Sequence, residues 1–405
     1  MSRRAALASA PGLRPDSLVG AVCFHDAQED DALYAVYVAR TAAARGASIA
    51  TRVRAGGFVH DESGRLLGLW ADDSLTGRSL EIRARHTILA VGVATDRMLE
   101  HATGRRQNAL RPSKGVHLVV PRSSIPMRSG LFMRTEKSIF HAIPWGPDHW
   151  LLGDTDTEWE GGVDTPVANR ADVEYLLAKV NSVLRRPVAA EEICGVFAGL
   201  RPLVASEGAT DTTRLSRVHR LFSPLSGLTA IAGGKYTTYR LMARDAVDIA
   251  ARDLGSSAPS TTDELPLVGA VPALGGDADR LRLRHGACAD EVLALSRTDP
   301  ALAAPLPGAR NYITAEAVHA VTHQGALDLD DILSRRTRAS IEADDRGRAA
   351  AAVIAPLVAP ILGWTDARAA EEVDRYIRLR DAEAAAEAAP DDAAAEAAYR
   401  AVLEG

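Results

Sequence analysis

The segment LTAIAGGKYTTYRLMARDAV, residues 228–247, places a lysine where an apolar run changes to a helical pattern. Gly233 and Gly234 carry no side chain, which lets the backbone approach another group closely. The first N–H groups of a helix attract an anion, and Lys235 adds a full positive charge. The spacing therefore predicts a strand, a tight turn and a helix that begins near Thr237, with the turn facing an anionic group.

Neither common phosphate-binding pattern fits this turn. A P-loop, G-x-x-x-x-G-K-[ST], needs glycine at position 229 and serine or threonine at position 236, whereas Thr229 and Tyr236 occupy these positions. The dinucleotide-binding pattern G-x-G-x-x-G is also absent here. A tight connection with a surface lysine and no ligand therefore remains an alternative.

Two further polar side chains stand in apolar segments. Arg201 lies within GVFAGLRPLV, and a guanidinium there is costly unless it pairs with a structural carboxylate or holds an anionic ligand. His117 stands at the head of a strand in RPSKGVHLVVP, where a lone histidine is typical of a hydrogen-bonded core residue. The residues alone leave both alternatives open.

The sequence contains no convincing metal or disulfide pattern. Asp154, Asp156 and Glu158 alternate in GDTDTEWEGG as at the start of a calcium loop, but the glycine and the closing glutamate are misplaced. The three cysteines lie far apart and form no C-x-x-C pair, which argues against a zinc site or a disulfide framework. We predict no metal site and a reducing compartment.

Strands and helices that would position these residues alternate along the chain. A helix is predicted over 31–46, and three strands joined by two hairpin turns follow up to the AVG turn at 90–92. More strands are predicted within 111–160, at 192–204, 212–224 and 228–234, with a helix opened by Asn169 over 169–184. Helical periodicity dominates from about 262, and the alanine- and glutamate-rich end is predicted as a solvated helix that buries little.

The overall composition limits the classes of function. The formal net charge of −6 and the 47% of apolar residues are ordinary for a globular protein and give no reason to expect a nucleic-acid partner. No run of 18 apolar residues occurs, and the first residues lack the apolar core of a signal peptide. We therefore predict a cytoplasmic protein, and peripheral attachment to a membrane stays open.

Five segments in one order resemble the FAD-dependent glycerol-3-phosphate dehydrogenases, the respiratory, quinone-linked enzymes. They are RPSKGVHLVVP, IPWGPDHWLLGDTDTEWEG, AGLRPLV, AGGKYTTYRLMARDAV and ITAEAVHAVTHQGALDLDDILSRRTRAS. The implied fold class is α/β plus α+β: a truncated FAD-binding domain of the glycine-oxidase type, an antiparallel-sheet substrate domain and a C-terminal helical cap. The implied domains are the FAD-binding remainder (1–110), the substrate domain (111–225), the returning FAD-binding strand and helix (226–260) and the helical domain with its tail (261–405).

The resemblance also implies an activity and a site. FAD would oxidise sn-glycerol 3-phosphate to dihydroxyacetone phosphate, and a quinone would take the electrons. The protein would be cytoplasmic or bound peripherally to the inner face of the cell membrane. The resemblance leaves open whether it forms a homodimer. Arg201 would clamp the phosphate, His117 would help to remove the hydroxyl proton, and Lys235 would serve both flavin and substrate. The implied catalytic residues are His117, Arg201 and Lys235, the substrate-binding residues are Thr155, Arg201 and Lys235, and the cofactor-binding residues are Val53, Ala90, Gly92, Gly234, Lys235, Tyr236 and Thr237.

One departure from the family is large. Its members begin with a strand–G-x-G-x-x-G–helix unit that holds the FAD pyrophosphate, and this pattern occurs nowhere in the 405 residues. The AVGVATD turn also differs from the family's usual residues. Either a mis-assigned start or a natural fragment would explain the departure, and the alternative to the enzyme is a non-catalytic or inactive fragment that holds no flavin. A nearer rival is another FAD oxidoreductase of the glycine-oxidase type that acts on a different substrate, and Arg201 and the helical cap weigh against it.

Overall fold

The computed structural model describes residues 1–16, 18–135, 139–205, 218–271 and 279–404. The strands in these ranges are β1 (Val53–His60), β2 (Leu66–Asp73), β3 (Ser79–Arg83), β4 (Thr87–Leu89), β5 (Leu110–Pro121), β6 (Leu131–Arg134), β7 (Ile139–Trp145), β8 (His149–Gly153), β9 (Thr157–Glu158), β10 (Gly195–Val204), β11 (Arg220–Phe222), β12 (Leu228–Ala232), β13 (Pro305–Leu306) and β14 (Ala309–Ile313).

The α-helices in the same ranges are α1 (Arg3–Ser9), α2 (Asp31–Ala44), α3 (Thr95–Thr103), α4 (Arg170–Asn181), α5 (Tyr239–Asp253), α6 (Arg280–His285), α7 (Ala289–Thr298), α8 (Thr314–Gln324), α9 (Ala339–Glu342), α10 (Arg348–Leu362), α11 (Asp366–Glu387) and α12 (Asp392–Glu404). None of these helices combines the length and apolar character that a membrane span requires. The predicted helix at 169–184 is confirmed as α4, and Asn169 caps it by accepting a hydrogen bond from the backbone N–H of Asp172.

A six-stranded antiparallel sheet carries most of the candidate residues. Its strand order is β10-β5-β8-β7-β6, and β9 pairs with β5 beside β8. Side chains alternate between the two faces of a strand, so Val116, Leu118 and Val120 of β5 all point to one side. There they form a core with Leu176 and Val180 of α4. The opposite face presents Ser113, Gly115 and His117.

A smaller sheet joins distant parts of the chain. β12 pairs in parallel with β4 and antiparallel with β11. All five residues of β12 are buried, as its almost wholly apolar sequence predicts, and α5 follows it after the glycine pair. The predicted strand at 212–224 lies largely outside the described residues, which contain only β11 from it.

The prediction of one strand leading into the AVG turn is wrong. β1, β2 and β3 form an antiparallel meander through the two predicted hairpins, but β3 ends at Arg83. β4 begins at Thr87 and belongs to the sheet of β12. The two strands have different partners because β3 is exposed throughout along the edge of β2, whereas β4 places Leu89 in the core with Leu228 and Ala230.

The prediction of a solvated C-terminal helix is also wrong. α11 and α12 pack against each other, and Ala382, Ala386, Ala395 and Tyr399 are buried with Trp159. Alanine side chains are small enough to let helices approach closely. The alanine-rich helices α11 and α12 therefore form a tight contact, although their composition suggests little burial. Lys114, fully buried on β5, makes ion pairs with Asp172 of α4 at 2.6 Å and with Asp392 of α12.

Candidate active site

His117 and Arg201, far apart in the sequence, lie on the same face of the six-stranded sheet. The register of β5 and β10 sets Ser113 opposite Arg201 and His117 opposite Phe197. Residues two apart on a strand share a face, so the two pairs are on one side. The imidazole of His117 stacks on Phe197 with ring centres 5.1 Å apart.

Two glycines on this face make room for the two polar side chains. A Cβ at Gly115 would lie 2.7 Å from Cζ and 2.8 Å from Nη1 of Arg201, far inside van der Waals contact. A Cβ at Gly153 would lie 2.7 Å from Nε2 and 3.0 Å from Cγ of His117. The guanidinium and the imidazole therefore lie flat over bare backbone, and a side chain at either glycine would displace them.

Arg201 is partnered by a carboxylate. Asp154, the residue after β8, accepts from Nη2 of Arg201, and both side chains are 24% exposed. Within the described ranges, Nη1 of Arg201 is buried and has no hydrogen-bond partner. The carboxylate alternative is therefore observed, and the second nitrogen, which is enclosed and lacks an acceptor, leaves the ligand alternative a prediction.

His117 is held in its neutral form. Burial lowers its pKa to about 4, and the charges of His141 and Arg201 act in the same direction, while Asp154 acts against them. His141 of β7 lies beside it, with ring centres 5.4 Å apart, and burial lowers the pKa of His141 too. A neutral imidazole is able to accept a proton at physiological pH.

Sequence reasoning missed Asp154 and His141 as parts of this site. The sequence around Asp154 suggests only an incomplete calcium-loop pattern, and His141 carries no motif. The signal that exists is the alternation of β7 and β8, because His141 pairs with Gly153, which also pairs with His117. That relation depends on the register between strands, which a single sequence does not state.

Thr155, which the resemblance assigns to the substrate pocket, is bonded to the backbone of β5. It is 3% exposed, its hydroxyl accepts from the backbone N–H of Val116 at 3.0 Å, and it donates to the carbonyl of Lys114 at 3.3 Å. The hydroxyl is therefore engaged by the β5 backbone. In this position Thr155 fixes the segment that carries Asp154, and its substrate-binding role stays a prediction.

The glycine–lysine turn and the AVG turn lie at one edge of the small sheet. β4 and β12 are parallel, so the turns that follow their carboxyl ends, Ala90–Gly92 and Gly233–Thr238, are neighbours. The turn at Gly92–Ala94 lies against both β10 and β12. A Cβ at Gly233 would lie 2.5 Å from Cγ2 of Val204, which ends the strand that carries Arg201.

The start of α5 has features of an anion site. The α-helix begins at Tyr239, as predicted to within a turn, directly after a 3₁₀ turn over Tyr236–Thr238, and no side chain caps the start of either. Gly233 and Gly234 have φ of +74° and +81°, a conformation that glycine adopts without strain. The side chain of Lys235 is exposed.

Within the described residues, the side chain of Lys235 makes no ion pair and no hydrogen bond, and it is exposed. Tyr236 and Thr237 are exposed beside it, and Val53 opens β1 in a separate sheet, paired with Asp73. The roles of Lys235, Gly234, Tyr236, Thr237, Ala90, Gly92 and Val53 stay predictions.

One group in the helical domain was not anticipated. Glu291 of α7 and His319 and His323 of α8 bring potential metal-ligating atoms within 4.8 Å of one another. The carboxylate of Glu291 already accepts from His319 at 2.7 Å and from Arg40 at 2.9 Å. The arrangement shown is therefore a charged hydrogen-bond network, and Arg40 opposes the approach of a cation.

Comparison with known proteins links this geometry to a family. Residues 1–240 match the family model described as FAD-dependent oxidoreductase, and residues 260–369 match the model described as the C-terminal domain of α-glycerophosphate oxidase. The chain is 42% identical to glycerol-3-phosphate dehydrogenase 2 of Mycobacterium tuberculosis and to glycerol-3-phosphate dehydrogenase of Mycobacterium leprae, in each case over 98% of this chain and 70% of the relative.

A solved structure agrees. The structure of the glycerol-3-phosphate dehydrogenase from Bacillus halodurans complexed with FAD superimposes with a TM-score of 0.78 and 26% identity, over 93% of this chain and 78% of that one.

Proposed function

This chain belongs to the FAD-dependent oxidoreductases and, among them, to the glycerol-3-phosphate dehydrogenase family, and on that premise we propose that it oxidises sn-glycerol 3-phosphate to dihydroxyacetone phosphate with FAD as the hydride acceptor. The predicted family, the α/β fold with a C-terminal helical domain, and FAD as cofactor are confirmed by the matches. The observation that carries the proposal is a guanidinium with an unused buried nitrogen beside a neutral imidazole on one sheet face.

The residues at the edge of the small sheet fit a flavin. A reduced flavin carries negative charge at its pyrimidine edge, and the uncapped start of the 3₁₀ turn before α5, together with Lys235, would supply donors to that charge. Gly233 and Gly234 keep the backbone bare at that point. We propose that Gly234, Lys235, Tyr236 and Thr237 hold the isoalloxazine, and that Ala90, Gly92 and Val53 meet the adenine half.

The sheet face supplies the groups that the substrate requires. Arg201 offers the phosphate oxygens a planar fork of N–H donors, including the unpaired Nη1. His117, neutral above pH 4, accepts the proton of the C2 hydroxyl as that carbon becomes a carbonyl. When bound, FAD supplies the two-electron acceptor for the hydride from C2. Lys235 adds positive charge toward the substrate.

Further features rest on the family resemblance. We propose a quinone as the final electron acceptor, a cytoplasmic location with peripheral contact to the inner face of the cell membrane, and a homodimer. Assays with a soluble quinone, vesicle sedimentation and light scattering test these three proposals separately.

The deciding experiment measures flavin and substrate together on the full chain. We expect one FAD per chain, visible as flavin absorbance after gel filtration, and loss of that absorbance on anaerobic addition of sn-glycerol 3-phosphate. Glycerol, which lacks the phosphate, serves as the negative control. A flavin that stays oxidised with the phosphate ester would reject the proposed substrate, and a chain that retains no flavin would favour the non-catalytic alternative.

The substitution Arg201→Lys refines this test, because lysine loses the bidentate geometry. Use of the substrate should fall by at least tenfold while flavin retention stays unchanged. Arg97→Lys is the matched control, since Arg97 is exposed and pairs only with the exposed Asp164 among its described partners. Equal loss of flavin and substrate in Arg201→Lys would indicate a structural role for the guanidinium.

A further inference from the structure

The partner of Arg201 occupies the position where a ligand anion would bind. The carboxylate of Asp154 is bonded to Nη2, and both side chains remain about one quarter exposed. A purely structural pair would be expected to saturate the guanidinium and close it off. Here Nη1 has no acceptor within the described chain, so the pair leaves Arg201 incompletely satisfied.

The charge of Arg201 is matched by its bonded carboxylate before any ligand arrives, and Asp156, bonded to the residue opposite Arg201 on the ladder, adds a further carboxylate nearby. Arg201 contributes one positive charge and Asp154 one negative charge, while His117 and His141 are neutral because their pKa values are lowered. A phosphate monoester carries a charge of about −1.5 to −2 at pH 7. Because Nη1 is enclosed, a phosphate binds it only if the guanidinium turns, and the phosphate then lies within one guanidinium width of the carboxylate. A phosphate that takes the whole fork must displace Asp154. Either route is opposed by the negative charge of Asp154.

Given the proposed function, we infer that Asp154 competes with the substrate phosphate for Arg201 and thereby sets how tightly this site holds a phosphate monoester. Asp154 is a specificity-determining residue, and it also positions the guanidinium over Gly115 when no anion is bound. The carboxylate prevents Arg201 from binding any passing phosphate tightly, so that the rest of the substrate must contribute to affinity.

The test compares Asp154→Asn with the wild-type chain, both loaded with FAD. Asparagine keeps the size of the side chain and one acceptor oxygen but removes the charge. We expect the dissociation constant of inorganic phosphate, measured by isothermal titration calorimetry, to fall by about tenfold, which is the value of one charged contact. The KM for sn-glycerol 3-phosphate should fall by a similar factor, with kcat unchanged or lower because product leaves more slowly.

Controls separate this effect from general changes in charge and fold. Asp164→Asn removes a carboxylate from an exposed arginine pair elsewhere and should change both constants by less than twofold. Asp154→Ala provides a second variant if the asparagine variant does not fold. A phosphate affinity that is unchanged or weaker in both Asp154 variants would overturn the inference. If wild-type flavin is not reduced by the substrate, the proposed function fails, whereas the phosphate titration still decides the role of Asp154.

Discussion

Replacing Gly115 with alanine should displace Arg201 without altering any charge. The new Cβ would lie 2.7 Å from Cζ and 2.8 Å from Nη1, whereas ordinary contact requires 3.4 Å or more. The guanidinium must therefore move by roughly 1 Å, and a misplacement of about 1 Å in a binding group costs about 100-fold in rate. We expect kcat/KM to fall by about 100-fold, equivalent to about 2.7 kcal/mol of transition-state stabilisation.

The same substitution should change the free energy of unfolding little. The displaced atoms are the far end of a flexible side chain, and alanine is favoured over glycine in a strand by roughly 0.5–1 kcal/mol. The cost of displacing the Arg201 side chain and the gain from alanine in a strand nearly offset each other. The free energy of unfolding, measured by denaturant titration, should therefore change by about 1 kcal/mol or less. A large loss of activity with little loss of stability identifies the position of the guanidinium as the cause.

Gly199→Ala is the matched control. Gly199 faces Gly115 directly across the β5–β10 ladder, and a Cβ there meets nothing within 4 Å. Its kcat/KM should stay within about threefold of wild type, measured with an artificial dye as electron acceptor. The reasoning is refuted if Gly115→Ala also stays within threefold, or if both variants lose activity equally.

Three further predictions follow from the same contacts. Gly153→Ala brings a Cβ to 2.7 Å from Nε2 of His117 and should lower kcat more than it raises KM, in steady-state kinetics. Folding favours the neutral form of His117, because it lowers the pKa from about 6.5 to about 4. The free energy of unfolding should therefore decrease as the pH falls from about 6.5 to about 4. His117→Gln should show a smaller decrease in denaturant titrations, and an equal slope would contradict the assignment. Lys114→Met leaves the buried Asp172 without its cation and should lower the free energy of unfolding by about 3 kcal/mol. Asp392→Asn should lower it by only about 1 kcal/mol. Similar losses in the two variants would show that the ion pair with α12 dominates.

Local patterns predicted individual elements of this fold well. The apolar run at 228–232, the helix after it and the Asn169 cap all appear as predicted, because each depends on neighbours within one or two turns of chain. The division between β3 and β4 was missed because each strand is determined by a partner elsewhere in the chain. The burial of the alanine-rich end was missed for the same reason, since it depends on Trp159 and Lys114.

The sequence by itself determined the kinds of groups that the site contains: a cation in an apolar strand, a histidine at a strand head and a glycine–lysine turn before a helix. The order of the five family segments also indicated the activity. These features depend only on residue types and on spacings of a few residues.

Only the tertiary structure decided how those groups are combined. The register of β5, β8 and β10 sets His117 and Arg201 over Gly153 and Gly115, and it brings Asp154 onto the guanidinium. Register is set by side-chain packing across strands that are distant in sequence, so no local pattern records it. For that reason the identity of Arg201's partner, and with it the charge that a phosphate would meet, could be read only from the folded chain.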